Sequence, residues 1–128
     1  SLNGYLNAMP EASFLSTHLH EVLTYLGQRG VVTFLVGVQQ GIVGAMTTGL
    51  DMSYMADNVL ILRYFEARGA VQKAISVFKK RGSAHETTLR GFNITGSGLE
   101  VGPVLDNFQG ILTGVPTLLT SNFKPIGD

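Results

Sequence analysis

The first part of the chain spaces its apolar residues as a helix does. Apolar residues recur every three or four positions and so share one helical face: Leu15, Leu19, Val22 and Leu26. Pro10 and Glu11 are typical of a helix start, and Gly30 is typical of the left-handed residue that ends a helix. The pattern therefore predicts one amphipathic helix that ends just before Gly30.

An uncharged run without alternation follows this helix. Residues 31–38 have the sequence VVTFLVGV, in which β-branched side chains are frequent. Such a run is typical of a strand covered on both faces, and a helix followed by a buried strand predicts an α/β unit with parallel strands. Gln39 and Gln40 come at the carboxyl end of this predicted strand, where open α/β sheets bind their ligands.

The second half of the chain contains strand-length apolar segments separated by turn residues. The predicted strands are 58–65, which has the composition of a buried strand, then 70–78, 87–94 and 99–101, with shorter candidates at 108–112 and 117–119. Residues 66–69 and 95–98 have the composition of hairpin turns. We therefore predict an antiparallel meander attached to the parallel α/β start.

The composition indicates one domain with an unusually apolar surface. The chain has 128 residues, of which 45% are hydrophobic and 14% charged, and it has no cysteine. The low charge content favours a surface covered by a partner. The lack of cysteine excludes disulfides and thiolate metal sites. No apolar run has the length of a bilayer span, and we expect a cytoplasmic protein with no membrane association and no metal ligands among these residues.

Cations are concentrated near one short connection between two predicted strands. Seven of the nine Lys and Arg residues lie between Arg63 and Arg90, although the formal net charge is zero. The connection at residues 79–86, here called the basic connection, carries Lys79, Lys80, Arg81, Gly82, Ser83 and His85. Guanidinium and ammonium groups suit a phosphate anion, and Gly82 permits close backbone approach or a positive φ. A solvated hairpin end is the alternative, because charged turns are ordinary.

The remaining parts of a nucleotide site are missing from the sequence. The chain contains no G-x-x-x-x-G-K-S/T loop, no H-E-x-x-H and no G-x-S-x-G. The glycines of residues 41–52 do not form a G-x-G-x-x-G fingerprint, and this segment has no Lys or Arg. Zero net charge argues against a general nucleic-acid coat protein. The residues alone therefore provide some contacts for a phosphate, but not the loop that would hold most of it.

Four segments of the chain resemble the KaiC family of RecA-like ATPases, which includes the cyanobacterial circadian clock protein. They are residues 1–6 (SLNGYL), 57–66 (DNVLILRYFE), 74–86 (AISVFKKRGSAHE) and 108–116 (FQGILTGVP). The resemblance implies that residues 1–128 are the C-terminal part of a RecA-like P-loop ATPase fold, with the Walker A and Walker B segments preceding Ser1. It also implies ATP and Mg²⁺ in the intact protein, and neither bound by this part alone.

The resemblance implies roles for individual residues of the basic connection. Lys79 and Arg81 match a pair that reaches across a ring interface to the γ-phosphate of ATP held by a neighbouring subunit. Such a cation is worth about 10³–10⁵ in rate where it acts as a finger. His85 matches a residue beside that nucleotide, and we expect Lys80 and Ser83 to contribute to the same binding site.

Further matches lie outside the basic connection. Gln39 is placed like the polar γ-phosphate sensor of RecA-like enzymes, although Gln40 competes for that assignment. Residues 41–52 correspond to a loop lining the central channel of the ring, and their lack of cations argues against a grip on DNA there. Ser53 and Tyr54 align with an adjacent Ser-Thr pair that the clock protein phosphorylates on itself. Ser53 is therefore a candidate phosphorylation site, while the tyrosine departs from the pattern and clock function is not implied.

Two interpretations follow. In the first, the chain is half of an ATPase domain, inactive alone, that supplies sensor and inter-subunit contacts in a hexameric ring. In the second, it is a standalone anion-binding, nucleic-acid-binding or assembly module.

In the RecA-like order, the P-loop strand lies between the strands predicted at residues 31–38 and 58–65. Its absence leaves a gap, here called a slot, between two apolar strands. We predict that the chain closes this slot by shifted pairing or by taking a strand from a second copy.

Overall fold

A computed structural model describes Gly4, Ala8 and residues 12–38, 54–113 and 116–119. The chain divides into two compact units. The first consists of Ser1–Gln40 and Thr47–Ala56, and the second of Gly41–Met46 and Asp57–Asp128. The described helix belongs to the first unit and the described strands belong to the second.

The helix of the first unit, α1, spans Ala12–Gln28 and confirms the element predicted from the apolar spacing. Leu19 is buried, whereas Val22 lies at the exposed margin of the apolar face. The predicted helix start at Pro10 and Glu11 lies outside the described residues. Within the described part of α1, the apolar face is therefore covered only in part.

The helix ends at the predicted glycine. Gly30 has a φ of 69°, in the left-handed region. Its N–H donates to the carbonyl of Gly27 at 3.0 Å, and the N–H of Val31 donates to the carbonyl of Leu26 at 3.0 Å. These two bonds form a Schellman motif, which satisfies carbonyl groups that the end of a helix otherwise leaves unpaired.

Residues 31–38 do not form the strand that their composition predicts. They are neither helix nor strand, and their side chains are exposed, with Phe34 at 86% and Val32 at 79%. A strand needs a neighbouring strand to pair its backbone groups, and no sheet within the described ranges includes this segment. The prediction of a covered strand here is therefore wrong, and the predicted shifted pairing is not observed in the described residues.

The second unit is built on a four-stranded antiparallel sheet in the order β1-β2-β3-β4. Its strands are β1 (Asn58–Ala67), β2 (Ala70–Lys80), β3 (Arg90–Thr95) and β4 (Gly98–Val104). A separate pair is formed by β5 (Phe108–Gln109) and β6 (Thr117–Leu118). The predicted meander is confirmed, with β3 starting at Arg90 rather than Thr87. Every pairing among the described strands is antiparallel, so the predicted parallel start is not found in this part of the chain.

A two-residue turn fixes the β1–β2 hairpin. Arg68 and Gly69 have φ values of 53° and 72°. Two positive φ values are characteristic of a type I′ turn, whose twist matches that of the flanking strands. Ala67 pairs with Ala70 next to this turn, and the regular register continues to Leu60 opposite Val77. The turn therefore determines which residues of β1 and β2 lie opposite each other.

The hydrophobic core of the second unit lies at the turn end of this hairpin. The buried residues of that core are Phe65, Ala67, Ala74 and Ile111. The rings of Phe65 and Phe108 meet edge to face, with centroids 5.6 Å apart and an interplanar angle of 68°. Burial of these side chains anchors both strands of the hairpin at one end.

The two faces of β1 differ in burial. On one face Arg63 is buried, and its Nη1 donates a hydrogen bond to the carbonyl of Leu112 at 2.8 Å. On the other face the apolar side chains of Leu60, Leu62 and Tyr64 are exposed. The composition of β1 predicted a strand of the buried type, but the described part of the unit covers only one of its faces.

Candidate phosphate-contact site

The predicted cations lie at the open end of the β1–β2 hairpin, which is the end opposite the turn. Lys79 and Lys80 are the last two residues of β2, where they pair with Val59 and Asn58 of β1. Arg81 follows directly. Lys80 and Arg81 are exposed, and Lys79 is half-buried. The strand ladder therefore brings the three cations together at one end of the sheet.

A β-bulge sets the register of this open end. Leu60 pairs with Val77, whereas the next residue toward the open end, Val59, pairs with Lys79. Phe78 is thus the extra residue of β2, and beyond it every partner on β2 is shifted by one position. Without the bulge, Asp57 would face Lys80. With it, Asp57 faces Arg81.

Asp57 contacts Arg81 through both main chain and side chain. The N–H of Arg81 donates to the carbonyl of Asp57 at 2.8 Å. The guanidinium Nη1 lies 2.9 Å from the Asp57 Oδ1, and the two side chains are 63% and 68% exposed. Exposed ion pairs contribute about 1 kcal/mol at most, so Arg81 can exchange this carboxylate for another anion at little cost.

Gly82 turns the chain directly after the cations. Its φ is 82°, a conformation that glycine adopts without the steric penalty other residues have. A Cβ atom at this position would meet no atom within 4 Å, so the demand for glycine is conformational. Ser83 is exposed and His85 is half-buried in the same connection.

Glu86 orders the segment between β2 and β3. Its Oε1 accepts a hydrogen bond from the Thr88 hydroxyl and another from Arg90 Nε at 2.5 Å. Arg90 also donates from Nη1 to the carbonyl of Gly102 at 3.2 Å. The hydrogen bonds from Thr88 and Arg90 lower the pKa of Glu86 below the usual value for a glutamate. Sequence reasoning gave Glu86 no role. The i,i+4 rule for opposite charges applies to helices, and residues 86–90 are not helical, so that spacing did not mark this pair.

Two predicted site residues, Gln39 and Ser53, lie outside the described residues, as do residues 41–52. Their roles stay predictions. Tyr54, which follows Ser53, is described, and its hydroxyl lies 2.7 Å from the Ser16 Oγ within the first unit. The predicted residues that the structure brings together are therefore the cations of the basic connection.

Two features are not found in the described ranges: a metal-type cluster of side chains and a membrane-spanning helix. Among those residues, no cluster of three or more His, Asp or Glu side chains has the arrangement of a metal site. None of the described helical segments combines the length and the apolar character needed to cross a bilayer.

The chain matches a protein-family model and several known proteins. The model of the family "ATPase: KaiC" matches residues 2–106. The circadian clock oscillator protein KaiC of Parasynechococcus marenigrum is 32% identical, over 90% of this chain and 30% of that protein. The KaiC proteins of Thermostichus vulcanus and Synechococcus elongatus are 34% and 33% identical, each over 80% of this chain and 20% of the relative.

This chain thus spans between 20% and 30% of the length of those relatives. The matched residues include α1, the four-stranded sheet and the cations of the basic connection. The chain belongs to the KaiC family of ATPases.

Proposed function

We propose that residues 1–128 form the C-terminal half of a KaiC-type ATPase domain and supply cations for ATP hydrolysis in a ring of such domains. The observation that supports this most directly is the position of Lys79, Lys80 and Arg81 at the open end of the hairpin, within the segment that matches the KaiC model. Family membership supports a nucleoside triphosphate as the anion that these cations meet, and in this proposal Mg²⁺ accompanies ATP in the intact protein. The family match does not favour a standalone anion- or nucleic-acid-binding module.

Arg81 has the chemistry to stabilise a transferring phosphoryl group. The transition state spreads charge over the equatorial oxygens of that group, and fixed cations lower its energy. One donor of the Arg81 guanidinium pairs with Asp57, and the planar group carries four more N–H donors for phosphate oxygens. Lys79 adds a compact positive charge two residues earlier. Together they neutralise charge that develops on the γ-phosphate and its leaving oxygen.

The triphosphate on which these cations act is held by a neighbouring subunit. The hairpin is anchored by a core at its turn end, while Lys80 and Arg81 are exposed at its other end. The sequence has no Walker-type loop to hold a triphosphate beside them. A cation that projects from an ordered sheet into solvent is suited to a ligand brought by another molecule.

The exposed apolar surface of the chain supports a larger intact domain. Residues 31–38 and the face of β1 that carries Leu62 are apolar yet exposed. Covering each large apolar side chain is worth roughly 1.5–3 kcal/mol. In the RecA-like arrangement, both segments join a parallel sheet next to the P-loop strand. The chain on its own then has no complete nucleotide site and is inactive.

Other residues take supporting roles in this proposal. Gln39 senses the γ-phosphate, and Lys80, Ser83 and His85 contribute to binding the nucleotide beside the interface. Ser53 is a candidate phosphorylation site. The intact protein forms a hexameric ring with itself and works in the cytoplasm.

The test is hydrolysis by the assembled ATPase domain that contains this chain as its C-terminal half. The wild-type assembly is expected to hydrolyse ATP, and this chain alone is not. Arg81→Ala in the assembly lowers kcat by about 10³-fold or more, because the lost cation stabilised transition-state charge. Arg68→Ala is the matched control, since it removes an exposed guanidinium from the turn end of the same hairpin. Unchanged turnover in Arg81→Ala would remove Arg81 from the mechanism.

A further inference from the structure

We propose that Asp57 is an intramolecular competitor of phosphate at Arg81, so that its carboxylate lowers the affinity of the open end of the hairpin for the nucleotide. This inference rests on the proposed function of Arg81. Asp57 immediately precedes β1 and Arg81 immediately follows β2, and their side chains form an ion pair across that end. The regulated group is therefore the same guanidinium that contacts the triphosphate.

The bulge at Phe78 produces this pairing. The register from the type I′ turn to Leu60 would place Asp57 opposite Lys80. The one-residue shift beyond Phe78 places it opposite Arg81 instead. Lys80 keeps no ion-pair partner among the described residues, whereas Arg81 acquires one. The fold therefore directs the carboxylate to one particular cation of the three.

The two contacts between Asp57 and Arg81 have separate consequences. The main-chain bond from the Arg81 N–H to the Asp57 carbonyl holds the two backbones together at 2.8 Å. It does not depend on the Asp57 side chain. The ion pair between Nη1 and Oδ1 can therefore open without opening the hairpin, and Asp57→Asn removes the charge while leaving the backbone bond in place.

The strength of the ion pair suits exchange with a phosphate. Both side chains are more than half exposed. Exposed pairs of this kind change an equilibrium by about fivefold at most. A triphosphate carries several charges and binds arginine through two parallel hydrogen bonds, so it displaces a single carboxylate. The carboxylate nevertheless has to be displaced from Arg81 before the phosphate can take its place, and this competition weakens binding.

Asp57 differs in this respect from Glu86, the other acid paired with an arginine in the described sheet unit. Glu86 accepts hydrogen bonds from two side chains, Thr88 and Arg90, and Arg90 is further bonded to Gly102. Those hydrogen bonds hold the segment between β2 and β3 in place. The Asp57 carboxylate has Arg81 as its side-chain partner and ties down no further group among the described residues. Its position therefore favours control of Arg81 over support of the fold.

The experiment titrates the chain with inorganic tripolyphosphate and follows the backbone amide signal of Gly82 by NMR. Asp57→Asn is expected to tighten binding by about three- to fivefold at low salt, and the gain shrinks as salt is added. Glu66→Gln is the matched control. It removes the same charge from an exposed position of β1 at the turn end, and it is expected to leave the affinity unchanged.

A double variant shows whether the gain passes through Arg81. In an Arg81→Gln background, Asp57→Asn is expected to give no more gain than Glu66→Gln gives. The proposal is overturned if Asp57→Asn leaves binding unchanged or weakens it. It is equally overturned if the gain persists without Arg81, if Glu66→Gln gives the same gain, or if neither the wild-type chain nor Asp57→Asn binds tripolyphosphate.

The inference and the proposed function fail in different experiments. Loss of turnover in Arg81→Ala of the assembled ATPase, without an affinity gain in Asp57→Asn, overturns the competitor role alone. Normal turnover in Arg81→Ala overturns the proposed function, whatever Asp57→Asn does to tripolyphosphate binding.

Discussion

The two ends of the β1–β2 hairpin belong to one continuous ladder but have opposite surroundings. At the turn end, Phe65 and Ala74 are buried in the core of the unit. At the open end, Lys80 and Arg81 are exposed, and Arg81 forms an ion pair with Asp57. The core orders the hairpin from one end, and the β1–β2 pairing continues past the bulge to the other end. Cations can thus be placed in solvent without packing of their own.

Removing the main aromatic of the packed end is expected to have the largest effect on stability. Phe65→Ala should lower the free energy of unfolding by about 3–5 kcal/mol, because it loses buried area and leaves a cavity. Phe78→Ala, at the open end, removes a ring that is 57% exposed and should cost far less. Urea denaturation of both variants measures the difference.

Equal losses in these two variants would contradict the contrast between the two ends. Phe65→Leu is the milder substitution if Phe65→Ala does not fold. It should still be less stable than wild type, because the leucine fills only part of the site and loses the edge-to-face contact with Phe108.

Glycines at the two ends provide a sharper test. Gly69 and Gly82 both have positive φ, and an added Cβ would meet nothing within 4 Å at either position. Either change to alanine should cost about 1 kcal/mol in unfolding free energy, because only the backbone conformation is penalised. Of the two variants, only Gly82→Ala should also weaken tripolyphosphate binding, because it disturbs the segment next to Arg81. Equal binding by both variants would show that the conformation at Gly82 does not serve the site.

The smallest expected effect concerns Glu86. Its pKa in the folded chain is lowered from the usual glutamate value of 4.5, with the Thr88 hydrogen bond as the larger cause and the Arg90 hydrogen bond next. A carboxylate with a depressed pKa contributes stability that is fully present above its unfolded pKa and is lost as the pH falls through the folded value. The stability advantage of wild type over Glu86→Gln should therefore be greatest near neutral pH and should decline below pH 4.5.

Thermal unfolding across a pH series measures that advantage. Thr88→Val removes the hydroxyl donor and should shift the decline toward higher pH. A difference between wild type and Glu86→Gln that grows as the pH falls would have the wrong sign for this account.

The meander was predictable from sequence because each of its strands pairs with the next one along the chain. Apolar segments and turn residues such as Arg68–Gly69 are enough to define such hairpins. Residues 31–38 have an equally clear strand composition and yet form no strand. An apolar run indicates what a segment prefers, but pairing also needs a neighbour, and the described residues supply none for this segment.

The cations of the candidate site were predictable from the sequence, but the ion pair between Asp57 and Arg81 was not. Charge alone singled out the basic connection, and the family resemblance gave Lys79 and Arg81 their predicted roles. The pairing of Asp57 with Arg81 was not foreseen, because it depends on the bulge at Phe78. Counting back from the turn without that bulge gives Lys80 as the partner. A single extra residue in β2, which no composition rule marks, decides which cation the acid holds.

The most direct measurement of the central claim is ATP hydrolysis by mixtures of two inactive variants of the assembled ATPase. One variant carries Arg81→Ala and has an intact phosphate-binding loop. The other has a disabled phosphate-binding loop and an intact Arg81. Because Arg81 is proposed to act on the nucleotide of a neighbouring subunit, mixing should restore hydrolysis, with a maximum when both variants are abundant in each ring. Mixed rings that form and yet stay as inactive as either variant alone would contradict the account.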